Sequence, residues 1–167
     1  HGLSKLGFLI QNKINFDNEF SLNERLIIKS IEHFCRPRVY PNFHNNLLKT
    51  RSNKNIRRIG CTDSSDGLFQ ALQDLAVASN CKAIINYEKI PKDKDWPKGD
   101  KWDEYYFFGG EDYELVFSLP KKWAENLSKL DKDIKEIGFF TYGEPSIEFK
   151  DNKKTNYLIT HRSNTFN

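Results

Sequence analysis

The sequence predicts an α+β fold, a mixed β-sheet flanked by helices, on three observations. Apolar residues at helical spacing alternate along the chain with short apolar runs bounded by Gly and Pro, the pattern of helices interleaved with strands. The most regular helical stripe, Leu68, Ala71, Leu72, Leu75 and Ala76, directly follows a short candidate strand at Ile59-Gly60-Cys61-Thr62. The chain has 167 residues, 38% hydrophobic and 14% aromatic, ample for a buried core and against disorder throughout.

From the amino end, Leu3 to Ile10 is mostly apolar and reads as a short helix. Ser21 is a candidate N-cap for a second helix, whose stripe is Leu22, Leu26, Ile27, Ile31 and Phe34 and which Pro37 and Pro41 stop near Cys35. Lys49 to Arg58 is polar. After the stripe at 68–76, Ala83-Ile84-Ile85 reads as a strand ended near Pro91, and Lys92 to Glu104 as an exposed loop containing Trp96 and Trp102. The run Tyr105-Tyr106-Phe107-Phe108 reads as a buried strand, or as an aromatic wall for a ring. Tyr113 to Leu119 is a strand closed by Pro120, which opens a helix over Lys121 to Leu130. Strands are then expected within Ile134–Tyr142 and around Ile147–Phe149 and Tyr157–Ile159.

Charge and cysteine usage narrow the function. Twenty-six basic against 23 acidic residues leave a net charge of +3, a mixed surface that does not suggest nucleic acid as a partner. No apolar run approaches the about 20 residues of a membrane-spanning helix, and no signal-peptide pattern is present. The three cysteines, Cys35, Cys61 and Cys81, lack metal-ligand spacing and read as reduced thiols of a cytoplasmic protein. The chain begins at His1 and contains no Met, so it is expected to be a piece of a longer protein.

Two segments carry chemistry. Thr62-Asp63-Ser64-Ser65-Asp66-Gly67-Leu68 stands where a strand hands over to the strongest helix. One reading is an N-cap. The other is a hard-cation and phosphate site: two carboxylates and two hydroxyls offer oxygen ligands to Mg²⁺, and N–H groups at the helix start face a phosphate. Gly109-Gly110-Glu111-Asp112-Tyr113-Glu114-Leu115 reads either as a glycine turn with solvated acids or as a ligand-facing turn. In an extended chain Asp112 and Glu114 share one face, and Tyr113 and Leu115 the other. Were Asp63, Asp66, Glu111, Asp112 and Glu114 to converge, their repulsion would call for a metal or a cationic substrate among them.

These two motifs, in this order, resemble the C-terminal half of the thiamine-monophosphate kinase family, within the superfamily of aminoimidazole ribonucleotide synthetase-like ATP-binding enzymes. The family pattern Asp, any residue, Ser-Asp-Gly-Leu matches Asp63 to Leu68, and Gly-Gly-Glu-Asp-Tyr-Glu-Leu is matched in full at Gly109 to Leu115. His1 to Gly7, Arg36-Pro37-Arg38 and Ile137-Gly138 through Gly143 are similar to further family segments. Thr165-Phe166-Asn167 resembles the start of the terminal Gly-aromatic-Asp/Asn-His-Phe signature, with Thr165 in place of its glycine and the chain ending before its His-Phe.

The resemblance implies the fold of that superfamily's C-terminal domain over residues 21–167, with 1–20 as a segment leaving an N-terminal domain that is not part of this chain. It implies a kinase moving the γ-phosphate of ATP to thiamine monophosphate to give thiamine diphosphate, inactive as this chain alone and a homodimer at full length. Asp63 and Asp66 would bind Mg²⁺, with Asp66 catalytic. Ser65 would contact ATP, Glu111 the substrate, and Phe166 would cover the substrate's aromatic part. Selenophosphate synthetase-like or hydrogenase-maturation-like enzymes of the same superfamily, and a non-catalytic binding domain that kept the fold, are the alternatives.

Overall fold

The computed structural model describes residues 1–14, 22–38, 40–55 and 59–150. Helices α1 (Leu3–Gln11), α2 (Glu24–Cys35) and α3 (Phe43–Thr50) precede strand β1 (Gly60–Asp63). Then follow α4 (Leu68–Ser79), β2 (Lys82–Ile85), a single 3-10 turn at Tyr87–Lys89, α5 (Asp100–Phe108), β3 (Leu115–Ser118), α6 (Lys121–Leu130), β4 (Gly138–Thr141) and β5 (Ser146–Phe149). The fold is α+β, as the sequence predicts.

Its strands form two small sheets. β1 and β3 pair antiparallel, with Asp63 opposite Leu115 and Gly60 opposite Ser118. β2 is the centre of the other sheet, antiparallel to β4 and parallel to β5. No paired strands are sequence neighbours, so the described ladders are long-range rather than hairpins.

Helix α4 organises the core. Its stripe of Leu68, Ala71, Leu72, Leu75 and Ala76 is buried against Ala83 and Ile85 of β2, Ile147 and Phe149 of β5 and Val116 of β3. Leu3 and Leu6 of α1 and Leu26 of α2 join the same cluster, so the first helix is packed into this core. A second cluster, Leu47 of α3 with Trp123 and Leu127 of α6, is tied by Trp123 Nε1 donating to the Leu47 carbonyl at 2.9 Å.

Four expectations change. The run 105–108 is helix, because its buried residues, Trp102, Tyr106 and Phe107, recur at helical spacing that the four aromatics alone do not display. Residues 100–104 belong to that same helix rather than to a loop. Trp96 and Trp102 are core residues, packed edge to face with centroids 6.3 Å apart. Asn23 caps α2, its Oδ1 accepting from the Arg25 N–H at 2.9 Å; Ser21 and the strand expected at 157–159 lie outside the described residues.

Candidate functional site

Strand β1 ends on Asp63 and β3 begins at Leu115, so their pairing brings the two acidic motifs side by side. Ser64 prolongs the ladder one step: its N–H donates to the Glu114 carbonyl at 2.9 Å, and its hydroxyl accepts from the Glu114 N–H at 3.0 Å. Ser64 is fully buried, so this hydroxyl is a latch between the motifs and not a ligand.

The turns then touch backbone to backbone. The Glu111 N–H donates to the Ser65 carbonyl at 2.7 Å. A Cβ on Gly110 would stand 2.3 Å from that carbonyl oxygen. Gly67 starts α4 at φ 94° with its own missing Cβ 2.6 Å from the Phe108 carbonyl oxygen. Glycine is required there both by conformation and by space.

Acids on this ridge face two ways. Asp63, Asp66 and Glu111 are exposed, and none pairs with a cation among the described residues. Asp63 Oδ1 accepts from the Ser65 hydroxyl at 2.7 Å and the Ser65 N–H at 3.0 Å, and these bonds hold its carboxyl below the usual range. Tyr113 donates its hydroxyl to Glu111 Oε2 at 2.8 Å. That bond, then the Glu111 charge and lesser effects of Asp63 and Asp66, push the Tyr113 hydroxyl up, so the acids of both turns act on one surface.

Asp112 points the other way and is 2% exposed. It accepts from the Gly2 N–H at 2.6 Å and the Ser4 N–H at 3.0 Å, filling from 110 residues away the N-terminal cap that Gly2 cannot supply to α1. His33 of α2 lies behind it, with Nδ1 2.9 Å from Ser4 Oγ and 3.7 Å from Asp112, and Nε2 3.8 Å from Glu114. Asp112 and Glu114 thus share a face, although this stretch is not strand: Glu111 and Tyr113 sit at φ 68° and 51°. A left-handed conformation costs a non-glycine residue about 1 kcal/mol or more. The latch at Ser64 and the clamp at Asp112 hold it in place.

Of the expected site residues, the structure brings Asp63, Ser65, Asp66 and Glu111 together; Phe166 lies outside the described residues. No three Asp, Glu, His or Cys side chains converge as a metal site among the described residues. Sequence reading places His33 at a surface or boundary position and leaves its long-range partners and the latch role of Ser64 unseen, since neither carries a local signal of them.

No family model matches the chain. It is 35% identical over 138 residues to the thiamine-monophosphate kinase of Prochlorococcus marinus, covering 83% of this chain and 41% of that protein. It is 28% identical over 163 residues to that of Synechococcus elongatus, covering 97% and 48%. Among solved structures, the thiamine-monophosphate kinase from Stenotrophomonas maltophilia K279a shares its fold at a TM-score of 0.68 and 20% identity, over 89% of this chain and 47% of that one. AaThiL complexed with AMPPCP and TMP matches at a TM-score of 0.65 and 27% identity, over 91% and 45%. The chain has thiamine-monophosphate kinases as homologues and spans less than half the length of these relatives.

Proposed function

We propose that this chain, homologous to the C-terminal part of thiamine-monophosphate kinases, supplies one half of a site that transfers the γ-phosphoryl group of ATP to thiamine monophosphate. The observation that carries this reading is the joining of the two motifs by the Glu111 N–H to Ser65 carbonyl bond, with Asp63, Asp66 and Glu111 exposed and uncompensated. The carboxylate oxygens of Asp63 and Asp66 suit Mg²⁺, a hard cation that keeps waters and phosphate oxygens in its remaining positions. Two such ligands do not complete a site, which fits a centre shared with residues outside this chain. When bound, Mg²⁺ neutralises charge on the phosphate oxygens.

In this reading the chain's own residues position and orient. Ser65, whose hydroxyl restrains Asp63, contacts ATP. The N–H groups at the start of α4 face its phosphates. Glu111, fixed by its backbone bond and by Tyr113, attracts the cationic thiazolium ring of the substrate. Phe166 covers the substrate's aromatic part. In-line transfer needs no protein nucleophile, so positioning and charge neutralisation carry the rate. The complete protein is read as a cytoplasmic homodimer whose amino-terminal half brings the remaining acids, and the 167-residue chain alone as inactive.

The test is ADP formation dependent on thiamine monophosphate, with Mg²⁺ and ATP, by the complete gene product that contains these residues. Asp66→Asn is expected to lower kcat at least about 100-fold. No turnover of thiamine monophosphate sinks the reading; an unchanged rate in Asp66→Asn sinks the role of Asp66.

A further inference from the structure

His33 stands in the last turn of α2, with its side chain 11% exposed, on a seat fixed by close packing. One turn earlier α2 meets α1 backbone to backbone: a Cβ on Gly7 would stand 2.1 Å from the Ser30 carbonyl oxygen. Phe34, the next residue, packs edge to face on Phe8 of α1 with centroids 5.7 Å apart. The ring is therefore held where the two helices are held.

Both ring nitrogens face the supports of the second motif. Nδ1 is 2.9 Å from Ser4 Oγ and 3.7 Å from Asp112 Oδ1, the oxygen that also accepts the Ser4 N–H. Nε2 is 3.8 Å from Glu114 Oε1. Asp112 and Glu114 flank Tyr113, whose hydroxyl holds Glu111. A neutral imidazole has one N–H for the Ser4 hydroxyl and the two carboxylates; an imidazolium has two, and a charge that both carboxylates attract. Imidazole passes between these forms in the range of about pH 5 to 8. Further charged groups surround the ring: His1 before α1, Lys92, Asp93 and Lys94 on the loop opposite, and Lys29, Glu32, Arg36 and Arg38 on and after α2. Lys29 pairs with Asp93 and Lys92 with Asp103. Among the described residues, Asp112 and Glu114 are the charged groups within ion-pair distance of the ring.

We infer that His33 is a positioning residue for the substrate: it ties the turn that carries Glu111 to α1 and α2, and ties it more tightly when protonated. It touches neither substrate nor metal in this role and acts through Asp112 and Glu114. The effect on substrate rests on the kinase reading, whereas the hold on the turn does not.

The test is steady-state kinetics of the complete gene product between about pH 6 and 8.5. Hydrogen exchange of residues 110–115 is the readout independent of turnover. His33→Ala is expected to raise KM for thiamine monophosphate about tenfold and to leave KM for ATP within about twofold. His33→Gln, a neutral donor and acceptor, is expected to raise it about fivefold at about pH 6 and to match the parent within about 1.5-fold at about pH 8.5, where imidazole is neutral. The ratio of variant to parent cancels the titration of the substrate's own phosphate. Exchange at 110–115 is expected to be about tenfold faster in His33→Ala and about threefold faster in His33→Gln at about pH 6. If His33→Ala does not fold, His33→Gln decides. An unchanged KM for thiamine monophosphate in both variants, an equal rise for ATP, a ratio independent of pH, or unchanged exchange would each overturn the inference. A parent protein that does not turn over thiamine monophosphate sinks the kinase reading instead, and exchange then decides whether His33 holds the turn.

Discussion

The five carboxylates of the two motifs are brought to one end of the β1–β3 pair, yet they fall into an outward row and an inward row. Asp63, Asp66 and Glu111 are exposed and pair with no cation among the described residues. Asp112 is buried and accepts two backbone N–H groups, and Glu114 faces His33. Adjacent residues of one motif, Glu111 and Asp112, therefore belong to different rows. A shared motif is not a shared role: one acid is available to a ligand, and its neighbour fastens the ligand-bearing turn to the body of the fold. Left-handed backbone at Glu111 and Tyr113 is what turns the two rows apart.

The way to break this division altogether is to force the turns apart. Gly67→Ala introduces a Cβ 2.6 Å from the Phe108 carbonyl oxygen at φ 94°, and is expected to cost about 3–5 kcal/mol of unfolding free energy in urea denaturation. Removing the inward anchor comes next. Asp112→Ala strands the Gly2 and Ser4 N–H groups in the interior, an expected loss of about 2–4 kcal/mol in the same measurement.

A smaller effect sharpens the comparison with an inward acid held by cations instead of N–H groups. The Asp93 side chain is shielded from solvent, which opposes its ionisation, but hydrogen bonds from Lys29, the Asp95 N–H and Arg25 outweigh this and hold its carboxyl at about 2. Its folded pKa lies below the unfolded value, so the stability it contributes is present above about pH 4 and is lost as pH falls from there towards 2. Asp93→Asn is expected to lose about 1–2 kcal/mol at pH 7, discounted for the half-exposed Arg25 and Lys29, and to flatten that acid limb in a pH series of urea melts.

Much of the architecture was legible from periodicity. The stripes behind α2 and α4, the helix that Pro120 opens and the apolar runs behind β2, β3 and β5 lie where the residues predict them. Helix α3 was not legible: Phe-His-Asn-Asn-Leu-Leu-Lys-Thr contains weak helix formers, and the helix is held by packing of Leu47 against Trp123 and Leu127. The aromatic run of α5 was misread because its helical period emerges only when Trp102 is counted with Tyr106 and Phe107. At the site, the sequence leaves convergence of the acids a condition, and the direction of each acid is not legible in it. Alternation along the chain put Asp112 and Glu114 on one face without saying which face is inside. That depends on Gly2, Ser4 and His33, far away in sequence, and on long-range bonds that leave no local pattern.

The division of the acids is tested most directly by urea denaturation of the parent chain, Asp112→Ala and Asp66→Ala side by side at pH 7. The account predicts a loss of about 2–4 kcal/mol for Asp112→Ala and a change within about 0.5 kcal/mol for Asp66→Ala, an exposed acid without a cationic partner. Equal losses in the two variants, or a larger one for Asp66→Ala, would contradict it.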